Sequence, residues 1–334
     1  MPSSESGPPT GEGGAPSVAT VHGDGRPRPI EVEPLDAAGA VARYIAVAER
    51  LPSARFASSS VHRAHLGELA DEFDCFVLDG FGVLNIGESA VPGAAERVAQ
   101  LRALGCQVRV LTNGASFPTT STRAKYARWG MDFSAEEVIS SRDALAEALS
   151  EEATMTSGRR WGFAARGGSA IERLVPGAVL LEEDPADYAR VDGFVLLGSG
   201  QWTSARQRLL HAALAEMPRP VLVGNPDLVA PHEVGLSREP GLFAHALADA
   251  GVAEPVFFGK PFGNAFELVA RTLGDIDPRR VAMVGDTLHT DILGGAAAGW
   301  RTVLVTDHGL MKTLDVARAI ERSGVRPDFI VPTT

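Results

Sequence analysis

From about residue 71 onward the chain alternates short apolar runs with stretches of helical spacing. The runs are "CFVLD", "QVRVLT", "RWGFAA", "GAVLL", "GFVLLG", "PVLVG", "PVFFG", "VAMVG", "TVLVT" and "DFIVP". They are mostly unbroken Val, Leu, Ile and Phe rather than an apolar–polar alternation, which suits strands buried on both faces. Helical spacing falls between them, at 92–104, 119–129, 204–216, 241–250 and 263–273. Strands alternating with helices predict an α/β fold with a doubly wound, parallel, Rossmann-like sheet. The interval between Thr112 and Lys260 holds several runs and helices, too much for a loop. It reads as an α/β cap inserted over 153–254, expected to move as a unit over a core made of 71–152 and 255–334. Residues 36–70 read as an N-terminal helical extension, with amphipathic spacing over 36–51. Residues 1–35 are rich in Gly, Pro and Ser and read as a disordered tail.

Composition narrows the function. A chain of 334 residues with 45% hydrophobic content can bury a large core. The formal net charge of −11 argues against nucleic-acid binding, which needs clustered Lys and Arg. It does not exclude small phosphorylated substrates, whose charge is met locally. The two cysteines, Cys75 and Cys106, lie in apolar surroundings and read as reduced core residues. No apolar run approaches the ~18 residues of a membrane span, and no basic start leads into an apolar segment. A cytoplasmic protein is expected, with homo-oligomerisation left open.

In an open parallel sheet, ligands bind beyond the carboxyl ends of the strands. The residues that end the apolar runs are therefore the candidates. They are Asp79, then Thr112-Asn113-Gly114, then Lys260 in "FGKP", then Asp286, with Asp291 five residues on. One such Asp is commonly a helix cap; four strand ends of this kind are harder to assign to capping. Asp79 suits a nucleophile or metal ligand, and Asp286 a second oxygen ligand for a hard cation such as Mg²⁺. Lys260 can neutralise a phosphoryl oxygen and hold Asp79 ionised. Thr112 and the amides of Asn113 and Gly114 can donate to the remaining oxygens. This inventory describes phosphoryl transfer through an aspartyl phosphate.

The order of these residues resembles the haloacid dehalogenase (HAD) superfamily, in the class with a large second-type cap that includes pyridoxal, phosphoglycolate and nitrophenyl phosphatases. "LDGFGVLNIGESAVPGA" is similar to its first motif, "VLTNGAS" to the second, "FGKP" to the third and "MVGDTLHTDILGGAAAGWRTVLVTDHG" to the fourth. The resemblance implies a Mg²⁺-dependent phosphohydrolase acting on a small organic phosphate. Asp79 becomes the nucleophile, Thr112 and Asn113 phosphate contacts, and Lys260 the third-motif lysine. Asp79, Asp286 and the Phe81 carbonyl become metal ligands, and Asp291 orients the metal shell. "VGNPDL" resembles a segment near the end of that class's cap, which brings Asn225, Asp227 and His232 towards the site. One residue departs from the pattern. The family's phosphatases carry Asp-x-Asp-Gly, and here the second Asp is Phe81. The general acid/base is therefore missing. That keeps two rival readings open: a phosphorylated-ligand binder without turnover, and a dehalogenase-type hydrolase, disfavoured by Asp286 and Asp291.

Smaller features read blandly. "GSGQWT" lacks the third glycine of a dinucleotide loop. His62 and His65 have helical spacing but no third ligand. "LEEDPAD" reads as a solvated loop, and Trp161, Trp202 and Trp300 as core. His289 reads as a solvent-facing loop residue, with a role in proton transfer as the alternative.

Overall fold

The computed structural model describes residues 32–151 and 158–334. The tail foreseen over 1–35 lies outside the described residues apart from 32–35. Seven strands form the main sheet in the order β1-β16-β15-β14-β2-β5-β6. They are β1 (Val61–His62), β2 (Cys75–Leu78), β5 (Gln107–Thr112), β6 (Val138–Ser140), β14 (Val281–Gly285), β15 (Arg301–Val305) and β16 (Phe329–Val331). Every neighbouring pair is parallel. The lack of alternation in the sequence has a direct cause. Phe76 and Leu78 of β2 face one apolar cluster, with Val108, Val110, Val284 and Val303. Cys75 and Val77 face another, with Leu111, Val281, Met283 and Phe266. Both faces are dry, and each fully buried aliphatic or Phe side chain contributes ~1.5–3 kcal/mol.

A second parallel sheet has the order β13-β10-β9-β7-β8. Its strands are β7 (Trp161–Ala164), β8 (Val179–Leu180), β9 (Gly193–Leu196), β10 (Val221–Val223) and β13 (Val256–Phe257). Strand β13 pairs with β10, so the run "PVFFG" ends in the second sheet rather than the main one. Lys260 thus enters the site from the point where the chain returns from the second sheet.

Helix Ser204–Glu216 forms where its spacing predicts it, started by Thr203, whose Oγ1 accepts from the Arg206 amide at 3.2 Å. Helices α1 (Ala37–Ala46), α2 (Ala94–Ala103) and α3 (Thr119–Arg128) also fall where expected. The short strand β6, helix α4 (Ser141–Glu151) and two two-stranded hairpins were not foreseen. Three-residue strands are too short to show a period. The expected helix around His62 and His65 is absent: His62 lies in edge strand β1 and is exposed. Among the described residues no helix is long and apolar enough to cross a membrane.

Candidate active site

The register of β2 against β14 builds the centre of the site. Leu78 lies opposite Val284, and the Asp79 amide donates to Val284 O at 2.9 Å. Asp79 and Asp286 therefore leave adjacent strands side by side. Asp291 follows within a turn of π-helix, Leu288–Ile292, that folds back over the strand end. A Cβ on Gly285 would lie 2.0 Å from Asp291 Cγ, so only glycine lets this turn close. Across the strand end, a Cβ on Gly82 would lie 2.4 Å from Asp286 Oδ2, in a backbone with φ of 80°.

Asp79, Asp286 and Asp291 are all buried, and each offers a carboxylate oxygen within 4.8 Å of the others. Lys260, 1% exposed, is the cation among them. Its Nζ lies 2.5 Å from Asp79 Oδ1 and 2.7 Å from Asp291 Oδ1. Asp286 accepts from Thr287 Oγ1 at 2.9 Å and from the Leu310 amide at 2.6 Å. Burial and the charge of Asp291 push the Asp286 carboxyl up to about 7. Burial also raises that of Asp79, with Lys260 opposing it. Burial disfavours the Lys260 charge, but Asp291 and Asp79 outweigh it and hold the ammonium above the usual lysine range. Three buried carboxylates against one ammonium leave excess negative charge, the condition that a hard divalent cation satisfies. The donor set fits such an ion.

Thr112 ends β5 and Asn113 follows it, and both are buried. Thr112 Oγ1 accepts from the Gly114 amide at 3.1 Å. The Asn113 side chain acts as a clamp on Lys260, with Nδ2 donating to Lys260 O at 2.9 Å and Oδ1 accepting from Lys260 N at 2.8 Å. Its Nδ2 also donates to Asp227 Oδ1 at 2.8 Å, which joins the site to the segment after β10. Burial raises Asp227 to about 7, against Lys260 and Asn113. Asn225 Nδ2 donates to Glu239 at 3.0 Å.

A cavity of about 450 Å³ opens beside this centre, lined at and beyond the ends of the main sheet by Phe81, Thr112 and Gly114 and from the segment after β10 by Asn225, Asp227 and His232. The Phe81 ring faces it. The His232 ring lies 6.0 Å away and Lys125 Nζ 5.2 Å above the Phe81 ring. Burial lowers the Lys125 pKa, with Glu88 opposing.

His289 is not a solvent-facing residue. It is buried and stacked on Tyr44 of α1, with centroids 5.1 Å apart and planes 4° from parallel, and burial lowers its pKa to about 4. Tyr44 itself is buried, and its hydroxyl accepts from the Leu228 amide at 3.1 Å. Sequence reasoning passed over Tyr44, because nothing in the spacing of 36–51 says what that helix packs against. Lys125 of α3 was likewise not singled out, because helical spacing alone does not say which ring or cavity a lysine reaches.

Comparison with known proteins agrees with this architecture. A haloacid dehalogenase-like hydrolase model matches residues 76–169, and a HAD-hydrolase-like model matches 257–333. The chain belongs to the haloacid dehalogenase-like hydrolases. It is 29% identical over 302 residues to human glycerol-3-phosphate phosphatase, covering 83% of this chain and 93% of that one. It is 25% identical over 236 residues to an acid sugar phosphatase of Staphylococcus aureus, covering 70% and 86%. A possible sugar phosphatase of this superfamily from Cytophaga hutchinsonii superposes with a TM-score of 0.71 at 26% identity, over 83% of this chain and 98% of that one. A glycerol phosphate phosphatase from Mycobacterium tuberculosis, solved in complex with magnesium, superposes with a TM-score of 0.60 at 26% identity, over 78% and 76%.

Proposed function

We propose that the chain is a Mg²⁺-dependent phosphohydrolase of small organic phosphates that works through an aspartyl phosphate on Asp79. The observation that carries this reading is the cluster of Asp79, Asp286 and Asp291 around Lys260 at the ends of adjacent strands. The phosphatase relatives and the magnesium-bound neighbour support it. When bound to Asp79, Asp286 and the Phe81 carbonyl, Mg²⁺ supplies the charge neutralisation that lets a carboxylate approach an anionic phosphoryl group.

The chain's own residues do the rest. Asp79 forms a bond to phosphorus as the bond to the leaving oxygen breaks. Lys260 balances charge on the phosphoryl oxygens. The Thr112 hydroxyl, held by the Gly114 amide, and the Asn113 amide orient them, and the Asn113 side-chain clamp holds Lys260 in register. Asp291 holds the same Lys260 ammonium at 2.7 Å. Phe81 carries no proton, so the departing oxygen draws one from solvent. Water then attacks phosphorus, the bond to Asp79 breaks, and inorganic phosphate leaves. Asn225 and Asp227 bring the inserted region, 153–254, to the substrate side as a cap. A second reading, a phosphorylated-ligand binder without turnover, draws its support from Phe81 alone.

The test is hydrolysis of p-nitrophenyl phosphate with and without Mg²⁺, together with calorimetric Mg²⁺ titration of the wild type and Asp286→Ala. Mg²⁺-dependent turnover, lost in Asp79→Asn, and weaker Mg²⁺ binding in Asp286→Ala are expected. Binding unchanged in Asp286→Ala would remove that residue from the metal site, and turnover that survives in Asp79→Asn would remove the nucleophile.

A further inference from the structure

The cavity beside Asp79 contains cations that no carboxylate neutralises well. Arg166 and Arg238 line it, and among the described residues neither makes an ion pair. Lys125 lies 3.9 Å from Glu88, whose side chain is 80% exposed, while its own is 15% exposed. These cations rest on aromatic rings instead. Lys125 Nζ is 5.2 Å from the Phe81 centroid and 5.4 Å from that of Trp129. The Arg166 guanidinium is 5.8 Å from the Phe117 centroid. Arg238 lies 5.5 Å over Phe243 and donates to Val32 O at 2.7 Å.

The acids on the same wall are matched to neutral donors. Asp227 accepts from Asn113 at 2.8 Å, and Glu239 accepts from Asn225 at 3.0 Å and from Ser237 at 2.5 Å. A ring face stabilises a cation only weakly and leaves its N–H donors free for an anion. A partly desolvated cation without a counter-charge is costly, and a ligand anion removes that cost. Lys125 and Arg166 line this cavity together with the Phe81 ring, whereas Lys260 is paired with Asp79 and Asp291.

We infer that the substrate carries a second anionic group, a carboxylate or a second phosphate, held by Lys125 and Arg166 while its reacting phosphoryl group lies at Asp79. This rests on the phosphohydrolase reading. The volume of about 450 Å³ suits a small metabolite. Phe81 then has a positive role: it closes the pocket beneath Lys125 without neutralising it, as an aspartate at that position would.

Matched pairs test the inference in full-length protein with Mg²⁺: glycerol 3-phosphate against 3-phosphoglycerate, and fructose 6-phosphate against fructose 1,6-bisphosphate. In at least one pair the doubly anionic member should be favoured about tenfold or more in kcat/KM, mostly through KM. The double variant Lys125→Met/Arg166→Met should bring that ratio to within about twofold of unity. Preference for the singly anionic member in both pairs, or a ratio that survives in the double variant, overturns the inference. The Asp79→Asn protein separates this result from the fate of the hydrolase reading. Calorimetric binding of 3-phosphoglycerate or fructose 1,6-bisphosphate tighter than its partner, lost with the double substitution, supports the second-anion pocket even if no ester is turned over. Equal binding of both members of each pair overturns it.

Discussion

In the proposed mechanism, Phe81 is the residue that sets the limits of turnover. Its ring sits under Lys125 and beside His232, and it has no proton to give. A positioned general acid or base is typically worth ~10²–10⁴ in rate. Its absence should hurt alkyl phosphates most and aryl phosphates least, and should slow water attack on the aspartyl phosphate. Rapid-quench kinetics on an aryl phosphate should show a burst followed by slow turnover, and Phe81→Asp should speed the slow phase. Equally fast, burst-free turnover of alkyl and aryl esters would mean that another group moves the proton. His289 is poorly placed for that role, since it is buried against Tyr44, whereas His232 lines the cavity. Glu239 gives a prediction in pH. Burial raises it to about 7 from an ordinary 4.5, against its bonds to Ser237 and Ser199. Its folded pKa lies above the unfolded one, so its contribution is fully present below about 4.5 and is lost as pH rises through about 7. Glu239→Gln should therefore gain stability relative to wild type between pH 5 and pH 8, by up to ~3 kcal/mol. A difference in melting temperature that stays flat with pH would show Glu239 to be ionised at little cost.

The helix α1 gives the element scale its clearest case. Its apolar face was legible, started by Asp36, whose Oδ1 accepts from the Gly39 amide at 2.7 Å. Its partners were not. Tyr44 reaches from α1 to His289 in the fourth-motif turn and to Leu228 in the segment after β10. Arg43 and Arg50 pair with Asp249 at the end of helix Pro240–Asp249. Those ion pairs are partly exposed and contribute little; the buried aromatic contributes more. Tyr44→Ala should cost ~3–5 kcal/mol, as buried aromatic truncations do, while Tyr44→Phe keeps the stack and loses only the hydroxyl acceptor, ~1–2 kcal/mol. If the helix also positions the site, kcat on an aryl phosphate should fall in Tyr44→Ala at temperatures where circular dichroism shows it folded. An unchanged kcat under those conditions would confine Tyr44 to stability.

At the scale of the whole molecule, one apolar cluster runs through all three parts of the chain. It joins Val41 and Tyr44, then Leu228, Leu242 and Phe243, then Leu288, Ile292 and Leu310. Relative domain motion is the default unless the interface is large and hydrophobic. If residues 153–254 act as the proposed cap, this shared core argues for a cap held in place, with substrate entering through the cavity mouth rather than by the wholesale opening expected of an insertion. The chain's two cysteines, Cys75 and Cys106, are both buried, so introduced pairs can be cross-linked cleanly. An Arg43→Cys/Asp249→Cys protein joined by a short bis-maleimide should keep turnover within about twofold. A tenfold loss on cross-linking, restored in the uncross-linked double variant, would mean that the cap must swing.

The sequence by itself determined the doubly wound sheet and pointed to the strand ends that carry the candidate site. Buried parallel strands write themselves as unbroken apolar runs, and ligand groups must stand where those runs stop. Asp79, Thr112 and Asp286 were legible for that reason, and Lys260 through its "FGKP" context. Tertiary structure decided what each side chain spends its hydrogen bonds on. Asn113 is turned to the Lys260 main chain, His289 is buried under Tyr44, and Lys125 is lodged over the ring of Phe81. Those contacts span 147 residues between Asn113 and Lys260 and bring α1 against the fourth motif. Local periodicity records which face of an element is apolar; which distant element covers that face is set only when the sheets and helices pack.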